Sequence, residues 1–144
     1  MTTTERDVLA QNTATARRVL EEIMPADDEA AMLEVVSADS VNHEAPTGTP
    51  PGPAGAVEVM HMLARAFSDQ HWEIEKTVAE GDLVAIFCTH SGRHTGELFG
   101  IAPTGNTFAY RQTHLLRIVD GKGVEHWAVR DDAALFRQLG VVSG

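Results

Sequence analysis

The chain has 144 residues, 43% hydrophobic and 22% charged, with 11 Lys and Arg against 21 Asp and Glu for a formal net charge of −10. That length suits one globular domain, 1–144, large enough to bury a core and an internal pocket, and its acidic field repels phosphate backbones and anionic lipid, which disfavours nucleic acid and membrane surfaces as partners. The one cysteine, Cys88, can neither close an intrachain disulfide nor build a thiolate metal site alone, and residues 1–7 lack the basic start and apolar run of a secretory signal, so a cytoplasmic protein is expected.

Apolar residues at Val8, Leu9, Ala16, Val19, Leu20 and Ile23 recur at steps of three and four and predict a long helix over 5–24. Pro25 and Asp27-Asp28 break and recap the chain before a shorter helix over 30–35, and a short extended segment covers 40–44. Residues 45–53 hold four of the six prolines, too many fixed φ angles and missing donors for a helix or central strand, so an ordered loop or lid is expected there. Val57, Met60, His61, Ala64 and Phe67 repeat at helical spacing and predict a third helix over 53–67.

Beyond Ser68 the pattern turns to β-rich runs at 71–80, 83–94, 107–119 and 123–129, separated by Glu80-Gly81-Asp82, Pro103-Thr104-Gly105-Asn106 and Asp120-Gly121-Lys122. Four such strands make an antiparallel meander. Helices followed by strands without alternation predict an α+β fold, a curved sheet wrapped around N-terminal helices.

Polar residues on apolar strand faces mark where chemistry could sit. In 83–94 the row Val84, Ile86, Cys88 passes into His90 and His94, and in 107–119 the row Phe108, Tyr110, Gln112, His114, Leu116, Ile118 is polar only in its middle. In the last strand Trp127, Val129 and Asp131 alternate onto one face. A carboxyl beside Trp127 in an apolar pocket would have its charged form disfavoured, which suits proton exchange near neutral pH. Asp131 or Asp132 could instead cap a C-terminal helix over 133–139. His43, just before the Pro-rich loop, could reach the pocket mouth as a base or donor, or simply bond nearby backbone.

Other chemistries find little support. His90 and His94 share four-residue spacing, but on a strand this separates them by roughly 13 Å, too far for one zinc. There is no Gly-rich phosphate loop, no Gly-x-Ser-x-Gly elbow and no helical His-Glu-x-x-His, so no metal and no cofactor is expected. Cys88 lies in an apolar row that would keep its thiol protonated.

The segments Val41-Asn42-His43-Glu44-Ala45-Pro46-Thr47-Gly48, His94-Thr95-Gly96-Glu97-Leu98-Phe99-Gly100-Ile101-Ala102-Pro103-Thr104-Gly105 and Glu125-His126-Trp127 through Leu135-Phe136-Arg137-Gln138-Leu139-Gly140, with the helix around Ala16-Arg17-Arg18-Val19-Leu20, closely resemble the SnoaL-like polyketide cyclases. The resemblance implies a nuclear-transport-factor-2-like cone enclosing a pocket, a homodimer through the open sheet face, and cofactor-independent intramolecular aldol ring closure of a small apolar or aromatic ketone. It implies Asp131 as acid/base with His43 and His114 as catalytic partners. Tyr110, Trp127, His94, Gln112 and Phe67 are the expected substrate contacts. Related epoxide hydrolases of the same cone carry a carboxylate two positions after this tryptophan, where this chain has Val129, which ranks ring closure or isomerisation above hydrolysis. A non-catalytic dimeric pocket protein is the alternative from a different class.

Overall fold

The computed structural model describes residues 1–141. Helix α1 (Thr3–Arg18) starts from a capping box: the Thr2 hydroxyl accepts from the Glu5 amide at 3.0 Å while the Glu5 carboxylate accepts from the Thr2 amide at 2.9 Å. The chain continues through a π-helical turn, Val19–Ile23, into the short α2 (Met24–Ala26), which ends at Asp27 with a φ of 52°. The wider turn carries Val19 and Leu20 to the wall of a cavity. Asp28 caps α3 (Glu29–Val35), which passes directly into β1 (Val36–Asn42). After the Pro-rich loop, α4 (Gly52–Ala66) carries Pro53 in its first turn. A Cβ at Gly55 would lie 1.9 Å from the Pro50 carbonyl oxygen, so the loop seats against α4 only because that side chain is absent.

Four strands follow: β2 (Phe67–Glu80), β3 (Leu83–His94), β4 (Thr107–Val119) and β5 (Lys122–Arg130), with α5 (Asp132–Leu139) closing the described chain. They form the expected antiparallel meander, and β1 adds in parallel to β5, giving one five-stranded sheet in the order β1-β5-β4-β3-β2. Of the extended segment predicted over 40–44, residues 40–42 are the end of a longer strand and His43 and Glu44 form a turn, and β2 begins at Phe67, where the third helix was expected to end.

Three apolar clusters fill the concave side. Ala16 and Leu20 pack on Trp72, Val84, Ile86 and Ile118 of the sheet. Leu135 and Leu139 of α5 pack with Phe67, Phe108 and Tyr110. Ile23, Met32, Val57 and Met60 join the helices to one another. Each such fully buried aliphatic side chain contributes about 1.5–3 kcal/mol relative to exposure. The described residues include no helix long and apolar enough to cross a membrane.

One irregularity decides which residues reach the interior. Asp120 (φ 51°) and Gly121 (φ 77°) make the two-residue β4–β5 turn, with Val119 opposite Lys122. Without interruption that register would set Trp127 opposite His114. A bulge intervenes instead: Ile118 faces Gly123 but Arg117 faces Glu125, so Val124 is an extra residue and every later β5 side chain changes face. Residues directly opposite in an antiparallel pair share a face, and beyond the bulge His126, Ala128 and Arg130 stand beside Leu116, His114 and Gln112.

Candidate active site

Between the helices and the concave face lies a cavity of about 570 Å³. Its floor and sides are largely apolar, from Ala16, Leu20, Met32, Leu63 and Leu135 among others, and the Pro-rich loop contributes Pro46, Pro50 and Pro51 at its mouth. One wall is polar: Tyr110, Gln112 and His114 of β4, His126 and Arg130 of β5, Asn42 at the end of β1 and Asp132 at the start of α5.

The wall is a chain of hydrogen bonds. Trp72 Nε1 donates to Gln112 Oε1 at 3.3 Å, and the same oxygen lies 2.7 Å from His114 Nε2. His114 Nδ1 lies 3.0 Å from His126 Nε2, and His126 Nδ1 lies 2.8 Å from Asn42 Oδ1, which also accepts from the Glu44 amide at 3.0 Å. Both ends are fixed by groups that can only donate, the indole N–H and a backbone N–H. Gln112 Oε1 therefore faces a protonated His114 Nε2, and Asn42 Oδ1 faces a protonated His126 Nδ1. Two neutral rings then have no proton left for the His114–His126 contact. The chain is one proton short, and a single added proton between the rings completes it.

Burial opposes that proton. Desolvation first, then the neighbouring His126 and the Arg130 charge, hold the His114 pKa well below its ordinary value, and desolvation with Arg130 lowers His126 to about 4. Both rings are neutral at pH 7. Behind the wall His90 stacks on Trp72 at 3.9 Å, bonds Gln70 and the Tyr110 hydroxyl, and is pushed down to about 3 by burial. Burial also raises the Tyr110 phenol to about 12, so it can serve only as a neutral donor or acceptor. The Cys88 thiol is raised to about 11, chiefly by desolvation, in keeping with its expected inertness.

Of the residues singled out in the sequence, Phe67, Tyr110, Gln112 and His114 line the cavity. The placement of four others differs from expectation. Asp131 is exposed and is the N-cap of α5, its carboxylate accepting from the Ala134 amide at 3.1 Å, so it faces away from the cavity while Asp132 reaches the rim. Because of the bulge it is His126 that takes the cavity face, and Trp127 lies on the other side of the sheet, stacked on His43 at 5.0 Å. His43 lies in the turn that follows β1, bonds Glu125 at 2.7 Å and is not among the residues that line the cavity. His94 is fully buried, but its Nδ1 bonds the Thr104 hydroxyl and amide and pins the β3–β4 loop, away from the cavity. Asp131 with Trp127 as a buried acid is therefore not formed.

Sequence reasoning passed over Trp72, His126, Arg130 and Asn42. His126 and Arg130 were hidden by face assignment, and the signal that could have found them is Gly123, since a glycine inside a strand run marks a possible bulge. Trp72 sits in a strand whose remaining residues are mostly charged or polar, and its pairing with His90 places it on the inner face, where it stacks on that ring and joins the core.

Comparison with known proteins places this geometry. Residues 14–139 match the family model described as SnoaL-like polyketide cyclase. The chain belongs to the SnoaL-like polyketide cyclases. Among curated relatives of this SnoaL-like chain, nogalonic acid methyl ester cyclase of Streptomyces nogalater is 36% identical over 90 residues, 62% of this chain and 67% of that protein. Aklanonic acid methyl ester cyclase of Streptomyces peucetius is 38% identical over 90 residues, and the match spans 62% of each chain. The structure of IdmH from Streptomyces antibioticus superposes with a TM-score of 0.77 at 32% identity, covering 91% of this chain and 99% of that one. TsrD from Streptomyces laurentii, at 23% identity and a TM-score of 0.80 over 95% of this chain and 98% of its own, shares the fold.

Proposed function

We propose that this SnoaL-like protein closes a ring in a polyketide-like or polycyclic ketone by intramolecular aldol chemistry, with the His114–His126 pair as the proton acceptor and return donor. The observation that carries the reading is the hydrogen-bonded row Trp72–Gln112–His114–His126–Asn42, one proton short, on the wall of an otherwise apolar cavity. The position opposite His114 is Ala128, so no carboxylate stands on β5 between His126 and Arg130. Neutral imidazole replaces the expected Asp131 as base.

The pair takes the proton from a carbon α to a carbonyl, and the resulting enolate carbon attacks a second carbonyl carbon of the same molecule, forming one C–C bond. The new alkoxide then takes the proton back from the imidazolium. No electrons leave the substrate and the step needs no co-reactant. The Tyr110 hydroxyl donates to His90 Nδ1 at 3.3 Å in the free protein and would turn from it to the developing enolate oxygen, where the apolar enclosure strengthens the bond by excluding water. The relatives named as methyl ester cyclases support ring closure as the reaction class.

The convex sheet face supports a second copy as partner. Phe87, Thr113 and Val129 stand in register across β3, β4 and β5 on the side away from the cavity, with Phe87 40% and Val129 76% exposed.

The direct test incubates the protein with anthraquinones carrying a 1,3-dicarbonyl side chain and follows ring closure by NMR. The wild type closes the ring and His114→Asn slows closure by about 10²-fold or more, the usual contribution of a positioned base. A wild type that binds these ketones with no turnover would make the cavity that of a binding protein.

A further inference from the structure

β5 ends in a cation that the ring-closing account does not use. Arg130 is half-buried, lines the cavity and stands opposite Gln112. Arg17, Arg18, Arg111 and Arg117 each hold a carboxylate within 4.0 Å, whereas among the described residues none lies that close to Arg130, nor to Arg6, Arg65, Arg93 or Arg137, and of these five only Arg130 lines the cavity. The nearby acids are otherwise engaged or set back. Glu125 is shared between Arg117 and His43, and Asp132 is an exposed residue in the first turn of α5, beyond ion-pair distance.

The charge of Arg130 reaches deep into the wall, where it acts on His90, Tyr110, His114 and His126 together. All four are neutral at pH 7, so none of them balances it. A guanidinium left without a counter-charge over an apolar enclosure is costly in desolvation and matches a planar oxyanion in two parallel hydrogen bonds. The chain as a whole carries −10 and repels anions at a distance, so an anion held here is held by this one local group.

We propose that Arg130 is the docking point for an oxyanion carried by the substrate itself, a carboxylate or an ionised enol or phenol on the ring system, and that it selects anionic polycycles over their neutral counterparts. The inference rests on the reading of the cavity as the substrate site. It adds the charge of the substrate and its orientation: the anionic end lies against β5 and α5, and the reacting carbon lies toward His126 and Asn42. Because Arg130 also lies beside the two histidines, a bound anion offsets the charge that keeps them deprotonated. Substrate binding itself thereby makes the pair a better proton acceptor.

Binding, not turnover, tests this. Anthraquinone-2-carboxylate, its methyl ester and alizarin are titrated into wild type, Arg130→Gln and Arg130→Lys by calorimetry, with far-UV circular dichroism as the check on folding. Wild type binds the carboxylate or ionised alizarin about tenfold or more tighter than the ester, and the tighter of the two anions tells whether carboxylate or phenolate is the preferred oxyanion. Arg130→Gln brings acid and ester within about twofold of each other, and Arg130→Lys keeps a preference for the anion. Equal binding of acid and ester by wild type overturns the assignment to Arg130 while leaving the cavity as substrate site, and needs no variant to be folded. A preference that survives Arg130→Gln overturns it as well. If none of the three probes binds, the cavity reading fails and the assignment fails with it.

Discussion

Acidification should unfold this protein steeply between pH 6.5 and 5, and the slope can be worked from three side chains. His90, His114 and His126 are neutral in the fold, their pKa values lowered to about 3, well below the ordinary value, and about 4 respectively. Unfolded, each titrates near 6.5. The unfolded chain therefore binds more protons than the native one throughout this window, so stability is fully present above pH 6.5 and falls as pH falls toward the native values. Each unmatched proton removes about 1.4 kcal/mol per pH unit. Three give about 3–4 kcal/mol per unit below pH 6, a large share of the 5–15 kcal/mol typical of a domain. Urea unfolding followed by tryptophan fluorescence at pH 7, 6.5, 6, 5.5 and 5 yields the slope directly, and His126→Gln should reduce it by about one proton. A slope under one proton across pH 6 to 5 would show that the wall is not held neutral, and would remove the basis for imidazole as base.

Three further outcomes follow from the same contacts. Asp131→Ala should lose about 1 kcal/mol by urea unfolding, the ordinary cost of removing a helix cap, while ring closure proceeds at the wild-type rate; loss of activity without loss of stability would restore Asp131 to the chemistry. Gln112→Leu strands the indole N–H of Trp72 and the Nε2–H of His114 in the interior and should cost about 2–4 kcal/mol, again by urea unfolding; a change under about 0.5 kcal/mol would mean the amide carries neither bond. Sedimentation velocity should find wild type as a dimer and Val129→Lys as a monomer, and a monomeric wild type would refute the convex face as the contact.

The fold was legible because its signals are local and redundant. The stripe of Val8 to Ile23 marked the first helix, the prolines of 45–53 marked the loop, and the alternation of Phe108 to Ile118 assigned the cavity face of β4 residue by residue. The site was legible only where that alternation ran unbroken, at Tyr110, Gln112 and His114. On β5 a single extra residue, Val124, exchanges the two faces, and its one local signal is Gly123, a glycine inside a strand run. That exchange put Trp127 and Asp131 where His126 and Arg130 belong. His43 failed for a different reason: it sits in the turn just past β1, where strand alternation no longer applies, and its stacking on Trp127 and bond to Glu125 hold it out of the cavity lining. Asp131 satisfied two patterns at once, strand alternation and helix capping, and only the start of α5 at Asp132 decides between them.

Proton exchange at carbon tests the central claim most directly. In D₂O at pD near 7, an anthraquinone bearing a 1,3-dicarbonyl side chain blocked from ring closure should lose its α-proton signal faster with wild type than without protein. His126→Asn and His114→Asn should each reduce that rate by about 10²-fold or more, with Asp131→Asn unchanged. Exchange that survives both histidine substitutions and disappears in Asp131→Asn would contradict the account.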